Sequence, residues 1–183
     1  MSLVEEGWSA AAVRAARRVR SRLALPCERP TPVVQRVLPS LGARVFWADL
    51  DTEDGFTHRD PGSGAIGVWL NLRLRSEPAR LRFTAAHEAG HIAMGHLLAV
   101  AVEDSPEAAM AREREANVFA TELLMPAEAI RGIRPPVDRR ALADSVRRLG
   151  VSWDALMNRL DQLGVQGKEE SLAALRGRVT GPR

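Results

Sequence analysis

The sequence predicts an α+β fold, in which a helix comes first, a small sheet follows, and further helices complete the chain. Apolar residues with helical spacing predict a first helix over residues 8–24, and a short second helix over residues 32–41. Two segments with β-branched and aromatic residues, 43–49 and 65–72, predict strands. The segment between them, residues 51–64, is polar and predicts a loop.

Four helices are predicted in the second half of the chain, over residues 79–98, 106–125, 138–149 and 152–163. The second of these has a proline in its first turn and another directly after its end, which is typical of helix boundaries. These elements suggest four segments. They are an N-terminal helical arm (1–30), a core (31–134), a C-terminal helix pair (135–165) and a polar tail (166–183).

Composition excludes several classes of protein. The chain has 183 residues, of which 45% are hydrophobic, so it can form a core and is not expected to be disordered. No segment resembles a membrane span or a secretory signal, and the single cysteine suits a reducing compartment, so we expect a cytoplasmic protein. The net charge is +3 and the pI about 10.2. Arginine clusters in residues 14–22 and 139–148 indicate either solvated helix faces or surfaces for an acidic partner.

The predicted helix 79–98 contains the pattern H-E-x-x-H, formed by His87, Glu88 and His91. A spacing of four residues puts two imidazoles on one face of a helix, one turn apart, so both can bind the same zinc ion. Glu88 lies beside this face, where it can activate the attacking water. A histidine pair without a metal is the alternative. His96 is out of register for a third ligand and is expected to be a surface or helix-end residue.

The predicted helix 106–125 supplies two candidates for a third ligand, Glu113 and Glu115. Glu113 begins a stripe of small and apolar residues that is expected to face the core, whereas Glu115 lies about 200° away among arginines. A buried carboxylate needs a partner, which zinc would supply. An ion pair between Glu113 and an arginine is the alternative. Asn117, one turn further on, could orient a ligand histidine.

Two further residues carry hypotheses. The chain has no tyrosine, so an oxyanion would be stabilised by His58, an arginine or a backbone N–H. An exposed loop residue is the alternative for His58. Cys27 could place an inhibitory thiol on zinc, or could be an inert cysteine.

Residues 82–91 and 113–126 together resemble the ImmA/IrrE family of metallopeptidases, which are gluzincin-like. The resemblance implies a minimal zincin-like fold, with a small mixed or antiparallel sheet packed on the zinc-binding helix. It implies one Zn²⁺ per chain, with Glu113 as the third ligand. It also implies site-specific cleavage of a helix-turn-helix repressor, which derepresses genes of phage, stress or defence systems, with single-stranded DNA as one candidate activator.

Residues 141–163 resemble a helix-turn-helix, although packing against the core is the other reading. The predicted strand 65–72 could pair with an extended substrate. Three functions therefore compete. They are a repressor-cleaving endopeptidase, a catalytically silent zinc-containing DNA-binding regulator, and a broad-specificity peptidase.

Overall fold

The computed structural model describes residues 9–98, 105–131, 133 and 139–165. The predicted α+β class is confirmed, because helices surround one small mixed sheet. Helices α1 to α7 span Ala10–Arg22, Leu38–Ser40, Pro78–Ala93, Pro106–Leu124, Ala127–Ile130, Arg139–Leu149 and Trp153–Gln162. A π-helix, Val33–Val37, precedes α2, and 3-10 helices cover Leu72–Ser76 and His96–Leu98. The predicted polar tail, residues 166–183, lies outside the described residues.

The sheet has the strand order β1-β3-β2, with β1 at Ala43–Ala48, β2 at Gly55–Arg59 and β3 at Ile66–Asn71. β3 pairs in parallel with β1 and antiparallel with β2. The loop prediction for residues 51–64 is therefore wrong in its middle. β2 has only five residues, begins with a glycine and is flanked by aspartates, so its local sequence does not predict a strand. Its pairing with β3 determines its conformation.

The predicted pairing of residues 65–72 with a substrate is contradicted, because β3 is the central strand and both its edges are occupied. In the described part of the chain, β2 is an edge strand. The inner face of the sheet carries Val68 and Leu70, which are fully buried. The outer face carries a row of stacked rings, in which Trp69 lies 4.9 Å from Phe46 and 5.1 Å from Phe56 between ring centroids.

Helix α1 contributes residues to the hydrophobic core. Its Ala12, Ala16 and Val19 are buried in the same cluster as apolar residues of α3 and α4. Of the arginines on α1, Arg20 is buried and donates hydrogen bonds to the carbonyl groups of Leu123, Leu25 and Pro26. This arginine therefore caps the end of α4 instead of offering charge to a partner. The division of the chain into four segments stays a prediction.

A buried ion pair connects the end of α4 to α7. The carboxylate of Glu122 is 1% exposed and pairs with the guanidinium of Arg159, which is 3% exposed. Arg159 also donates to the Met125 carbonyl over 2.9 Å, and Arg17 of α1 donates to Glu122 over 2.8 Å. Two guanidinium groups thus compensate the desolvation of one carboxylate.

The helix pair α6–α7 packs against the rest of the molecule through Leu142, Leu149, Leu156 and Leu160, which are all buried. The exposed positions of α7 include Asp154, Asn158 and Asp161. Acidic side chains would repel phosphates, so this arrangement favours the packing interpretation of residues 141–163. No helix within the described ranges is long and apolar enough to cross a membrane.

Helices α3 and α4 approach closely at Gly90. A Cβ atom at this position would lie 3.0 Å from the Ala116 Cα, 3.1 Å from the Ala116 carbonyl oxygen and 3.3 Å from the Phe119 Cβ. Two of these three neighbours are backbone atoms, which can give way only if α4 moves. The glycine therefore sets the distance between the two helices.

We expect Gly90→Ala to lower the free energy of unfolding by about 1 kcal/mol, because the overpacking outweighs the better helix propensity of alanine. Denaturation in urea measures the change. Gly62→Ala is the control, since its Cβ would have only the Asp60 Oδ1 nearby, at 3.5 Å. An unchanged or raised stability of Gly90→Ala would show that the helices separate without cost.

Asp54 fixes the start of β2. Its carboxylate accepts hydrogen bonds from Arg73 over 2.7 Å and from Arg80 of α3 over 2.6 Å. Burial alone would raise the pKa of Asp54, but the two guanidinium groups outweigh burial and lower that pKa. The edge strand is thereby connected to the helix that carries the H-E-x-x-H pattern.

Because the folded pKa of Asp54 lies below its ordinary value, its ion pairs stabilise the protein above the unfolded pKa and are lost as the pH falls through the folded one. We therefore expect Asp54→Asn to be less stable than the unsubstituted protein at neutral pH. The gap should shrink below about pH 5. Urea denaturation at several pH values measures it, with Asp144→Asn as an exposed control. A gap that does not change with pH would contradict this role.

Candidate metal centre

Helix α3 presents two imidazoles to one point. It starts at Pro78, where a proline suits the first turn, and runs without interruption to Ala93. The Nε2 atoms of His87 and His91 lie 3.0 Å apart, and the ring centroids 4.8 Å apart. The regular helix therefore brings these two predicted residues together, as their spacing indicates.

Helix α4 contributes a carboxylate to the same point. The Oε2 of Glu113 lies 3.2 Å from the His87 Nε2, and its Oε1 lies 3.4 Å from the His91 Nε2. The Glu113 side chain is 59% exposed, so the prediction that it lies on a buried stripe is wrong. The buried residues on the stripe are Ala116, Ala120, Leu123 and Leu124, whereas Asn117 is exposed and Glu113 lines an open cleft.

These three side chains fit a zinc ion. One ligand atom from each lies within 4.8 Å of the others. Ligands at tetrahedral corners about 2.1 Å from zinc lie about 3.4 Å apart. The two Nε2 atoms lie 3.0 Å apart, and each lies within 3.4 Å of a different oxygen of the Glu113 carboxylate. Two imidazoles and a carboxylate are also the donor set of many catalytic zinc sites, which keep a position for water or substrate.

Each imidazole has a partner at its other nitrogen. The carboxamide Oδ1 of Asn117 lies 3.0 Å from the His87 Nδ1, as the sequence-based hypothesis for Asn117 requires. The His96 Nδ1 lies 3.1 Å from the His91 Nδ1. His96 is predicted to be a surface or helix-end residue; it lies at the start of the 3-10 helix that follows α3, but it is only 7% exposed, so the surface alternative is wrong. Extrapolation of helical rotation fails here because α3 ends at Ala93 and Gly95 turns the chain with a φ of +75°.

Burial also favours the neutral form of one ligand. It lowers the pKa of His91 to about 4, and the nearby His87 adds to the effect. A neutral imidazole at neutral pH retains the lone pair that a metal needs. His91 is therefore in the protonation state that can bind a cation at neutral pH.

Glu88 lies beside the cluster and is held by the sheet. It is buried, and its Oε2 accepts a hydrogen bond of 2.6 Å from the Thr57 hydroxyl of β2. Burial raises the pKa of Glu88, although the hydrogen bond from Thr57 and the proximity of His87 oppose this. A carboxylate with a raised pKa is a stronger base for the proton of a water molecule.

A cleft of about 310 Å³ opens onto these groups. Gly55 and Thr57 of β2 line one side, and His87, His91 and Glu113 line the other. Gly55 allows β2 to lie close to α3, because a Cβ there would approach the Thr84 side chain to 3.0 Å and the Trp69 carbonyl oxygen to 2.8 Å. The edge strand therefore forms a wall of the candidate site.

His58 does not enter this cleft. Side chains alternate along a strand, and Thr57 points to Glu88, so His58 lies on the outer face of the sheet, with its ring 6.5 Å from that of Trp69. This placement contradicts an oxyanion role for His58.

Cys27 is also outside the site. Its Sγ lies 3.5 Å from a guanidinium nitrogen of Arg20, which itself binds the Leu123 carbonyl near the end of α4. Leu123 is ten residues beyond Glu113, a distance of about 15 Å along a helix. The hypothesis of an inhibitory thiol is contradicted by this separation.

Comparison with known proteins identifies the fold. The family model Peptidase_M78, described as the IrrE N-terminal-like domain, matches residues 39–161. The chain belongs to this family. The M78 match includes α3, α4 and the helix pair α6–α7, and it confirms the resemblance and the zincin-like fold inferred from residues 82–91 and 113–126.

Among solved structures, a Mycobacterium tuberculosis transcriptional regulator is similar to this M78 protein, with a TM-score of 0.59 and 20% sequence identity. The match covers 84% of this chain and 47% of that one. The chain thus spans about half the length of the regulator, and the likeness establishes the fold alone. A search of curated proteins finds no match.

Thr57 was not identified from the sequence, although its hydroxyl donates a hydrogen bond to Glu88 in this M78 site. The signal was present as Phe56-Thr57-His58, an aromatic and a β-branched residue in alternation. Treating residues 51–64 as a loop concealed it. The role of His96 beside His91 was missed for a different reason, since it depends on where α3 ends.

Proposed function

We propose that this protein is a zinc-dependent endopeptidase that cleaves a helix-turn-helix repressor at a specific site. The observation that carries the proposal is the position of Glu88. Its carboxylate is buried at the wall of a cleft, oriented by Thr57, and adjacent to the cluster of His87, His91 and Glu113. This is the arrangement in which a glutamate serves as a general base beside a metal rather than as a ligand.

A zinc ion held by His87, His91 and Glu113 would polarise the scissile carbonyl and make a water molecule more acidic. Glu88 takes the proton of the attacking water and passes it to the leaving amine. Thr57 keeps the Glu88 carboxylate facing the cleft, because its hydroxyl donates to Oε2. Asn117 keeps the His87 ring in place through Nδ1.

Within the described residues, the edge of β2 that faces away from β3 is unpaired, and it is our candidate for substrate pairing. The Asn71 N–H donates to the Asp54 carbonyl and the Asp60 N–H to the Ala65 carbonyl, which fixes the hydrogen-bonding alternation of the antiparallel pair. By that alternation, the backbone groups of Gly55, Thr57 and Arg59 face away from β3. An extended peptide could pair with them directly beside Glu88.

Family membership and the regulator fold support a transcription regulator as substrate. They give no support to single-stranded DNA as an activator. A silent DNA-binding regulator is less well supported, since α7 exposes Asp154 and Asp161 and turns Arg159 inward.

Digestion of two substrates tests the substrate class. We expect a neighbouring gene to encode a helix-turn-helix protein, and the zinc-loaded protein to cut that protein at one bond and to leave casein intact. Mass spectrometry of the products locates the cut. Degradation of both proteins at many bonds would favour a broad-specificity peptidase instead.

A further inference from the structure

A chain of hydrogen-bonding groups extends from His91 to the start of α1. The His91 Nδ1 lies 3.1 Å from the His96 Nδ1, and the His96 Nε2 lies 3.1 Å from the Glu115 Oε2. The other oxygen of Glu115 accepts a hydrogen bond of 2.7 Å from the Ser9 hydroxyl. Ser9 is also the N-cap of α1, where its hydroxyl oxygen accepts from the Ala12 N–H.

The hydrogens in this chain can be placed by elimination. A carboxylate only accepts, so Glu115 accepts from the Ser9 hydroxyl and from the N–H of His96 Nε2. The elimination applies to the neutral form of His96, which has a single N–H, so that its Nδ1 carries a lone pair. That lone pair faces the His91 Nδ1, which must therefore carry its hydrogen. The Nε2 of His91 is left with its lone pair, and it faces Glu113.

We propose that His96 and Glu115 are positioning residues that fix His91 in the tautomer able to bind a metal through Nε2. This inference rests on the proposed zinc site and deepens it. A ligand histidine commonly donates its second N–H to an oriented acceptor, which fixes the tautomer and the ring. For His87 the acceptor is the Asn117 carboxamide; for His91 it is an imidazole that is itself held by a carboxylate.

The position of these groups explains features that the peptidase role alone leaves without a purpose. His96 is buried, yet it is too far along the chain to follow the ligand face of α3, and the turn at Gly95 returns it to His91. Glu115 lies two residues from Glu113 on the same helix, but it faces His96 instead of the cleft. One turn of α4 thus contributes two carboxylates. Glu113 belongs to the cluster with His87 and His91, and Glu115 contacts His96 behind that cluster.

The first test reads the tautomer in the full chain after removal of metal. Nitrogen-15 NMR of the imidazole rings should show His91 with its hydrogen on Nδ1. In His96→Leu we expect the other tautomer of His91 to become populated. In His96→Asn the side-chain oxygen can replace the acceptor, so the Nδ1–H form should persist. A hydrogen on Nε2 of His91 in the unsubstituted protein would overturn the proposal, whatever the enzyme activity.

The second test measures zinc affinity by competition with a chelator. We expect His96→Leu and Glu115→Leu to bind zinc about 10- to 100-fold more weakly. Glu115→Gln should remain close to the unsubstituted protein, because its carboxamide oxygen can still accept from His96. Glu128→Gln, an exposed residue on α5, is the control, and circular dichroism confirms folding of each variant.

The outcomes separate the two proposals. Zinc affinity in His96→Leu equal to that of the unsubstituted protein, with an unchanged His91 tautomer, would refute the positioning role and leave the peptidase intact. If the unsubstituted protein binds no zinc, the proposed function fails, while the tautomer measured without metal still tests the hydrogen-bonded chain.

Discussion

Glu88→Gln should lower the rate of repressor cleavage by about 10²- to 10⁴-fold while the protein still binds zinc. The glutamine keeps the size of the side chain and can still accept from Thr57, but it cannot take a proton from water. Stability should not fall, because burial already disfavours the charged form of Glu88. Loss of rate without loss of fold or metal is the signature of a base.

Cleavage assays and zinc analysis on the same preparation measure this prediction. Glu107→Gln is a suitable control, since Glu107 lies in the first turn of α4 and is fully exposed. Full activity of Glu88→Gln would show that Glu88 is not the general base. Loss of zinc from the variant would instead make Glu88 part of the metal site.

Glu113→Ala should weaken zinc binding by at least about 100-fold, since loss of a ligand should cost more than loss of an outer hydrogen-bonding partner. Cleavage should fall accordingly. The metal-free variant should unfold at nearly the same urea concentration as the unsubstituted protein, because Glu113 is 59% exposed and no part of the core. This combination distinguishes a ligand from a structural residue.

Competition with a chelator gives the affinity, and urea denaturation without metal gives the stability. Glu107→Ala on the same helix controls for helix propensity and charge. If Glu113→Ala retains zinc as tightly as the unsubstituted protein, then the alternative of an ion pair between Glu113 and an arginine becomes the better interpretation.

The two central helices could be predicted because their signals are local. The spacing of His87 and His91 depends only on helical geometry, and prolines mark both ends of α4. The resemblance to a known family predicted that Glu113 lies near the two histidines. The exposure of Glu113 could not be predicted, because a helical stripe shows which residues share a face but not where along the helix the core ends.

The remaining features depend on contacts between distant segments. β2 exists because β3 pairs with it, and Thr57 reaches Glu88 only through that pairing. His96 reaches His91 because the helix stops early, which a periodic pattern does not reveal. Cys27 and His58 were plausible by residue type, and only the chain path places them elsewhere.

The pairing of Glu122 with Arg159 has a consequence for the modularity of this protein. A shortened chain that ended before α7 would strand a carboxylate in the interior with only the half-exposed Arg17 to neutralise it. Excising α1 would remove Arg17 as well as the anchor at Ser9. The helices that hold the histidines therefore depend on both α1 and α7, and a shortened version reduced to those helices alone would lose these compensating charges.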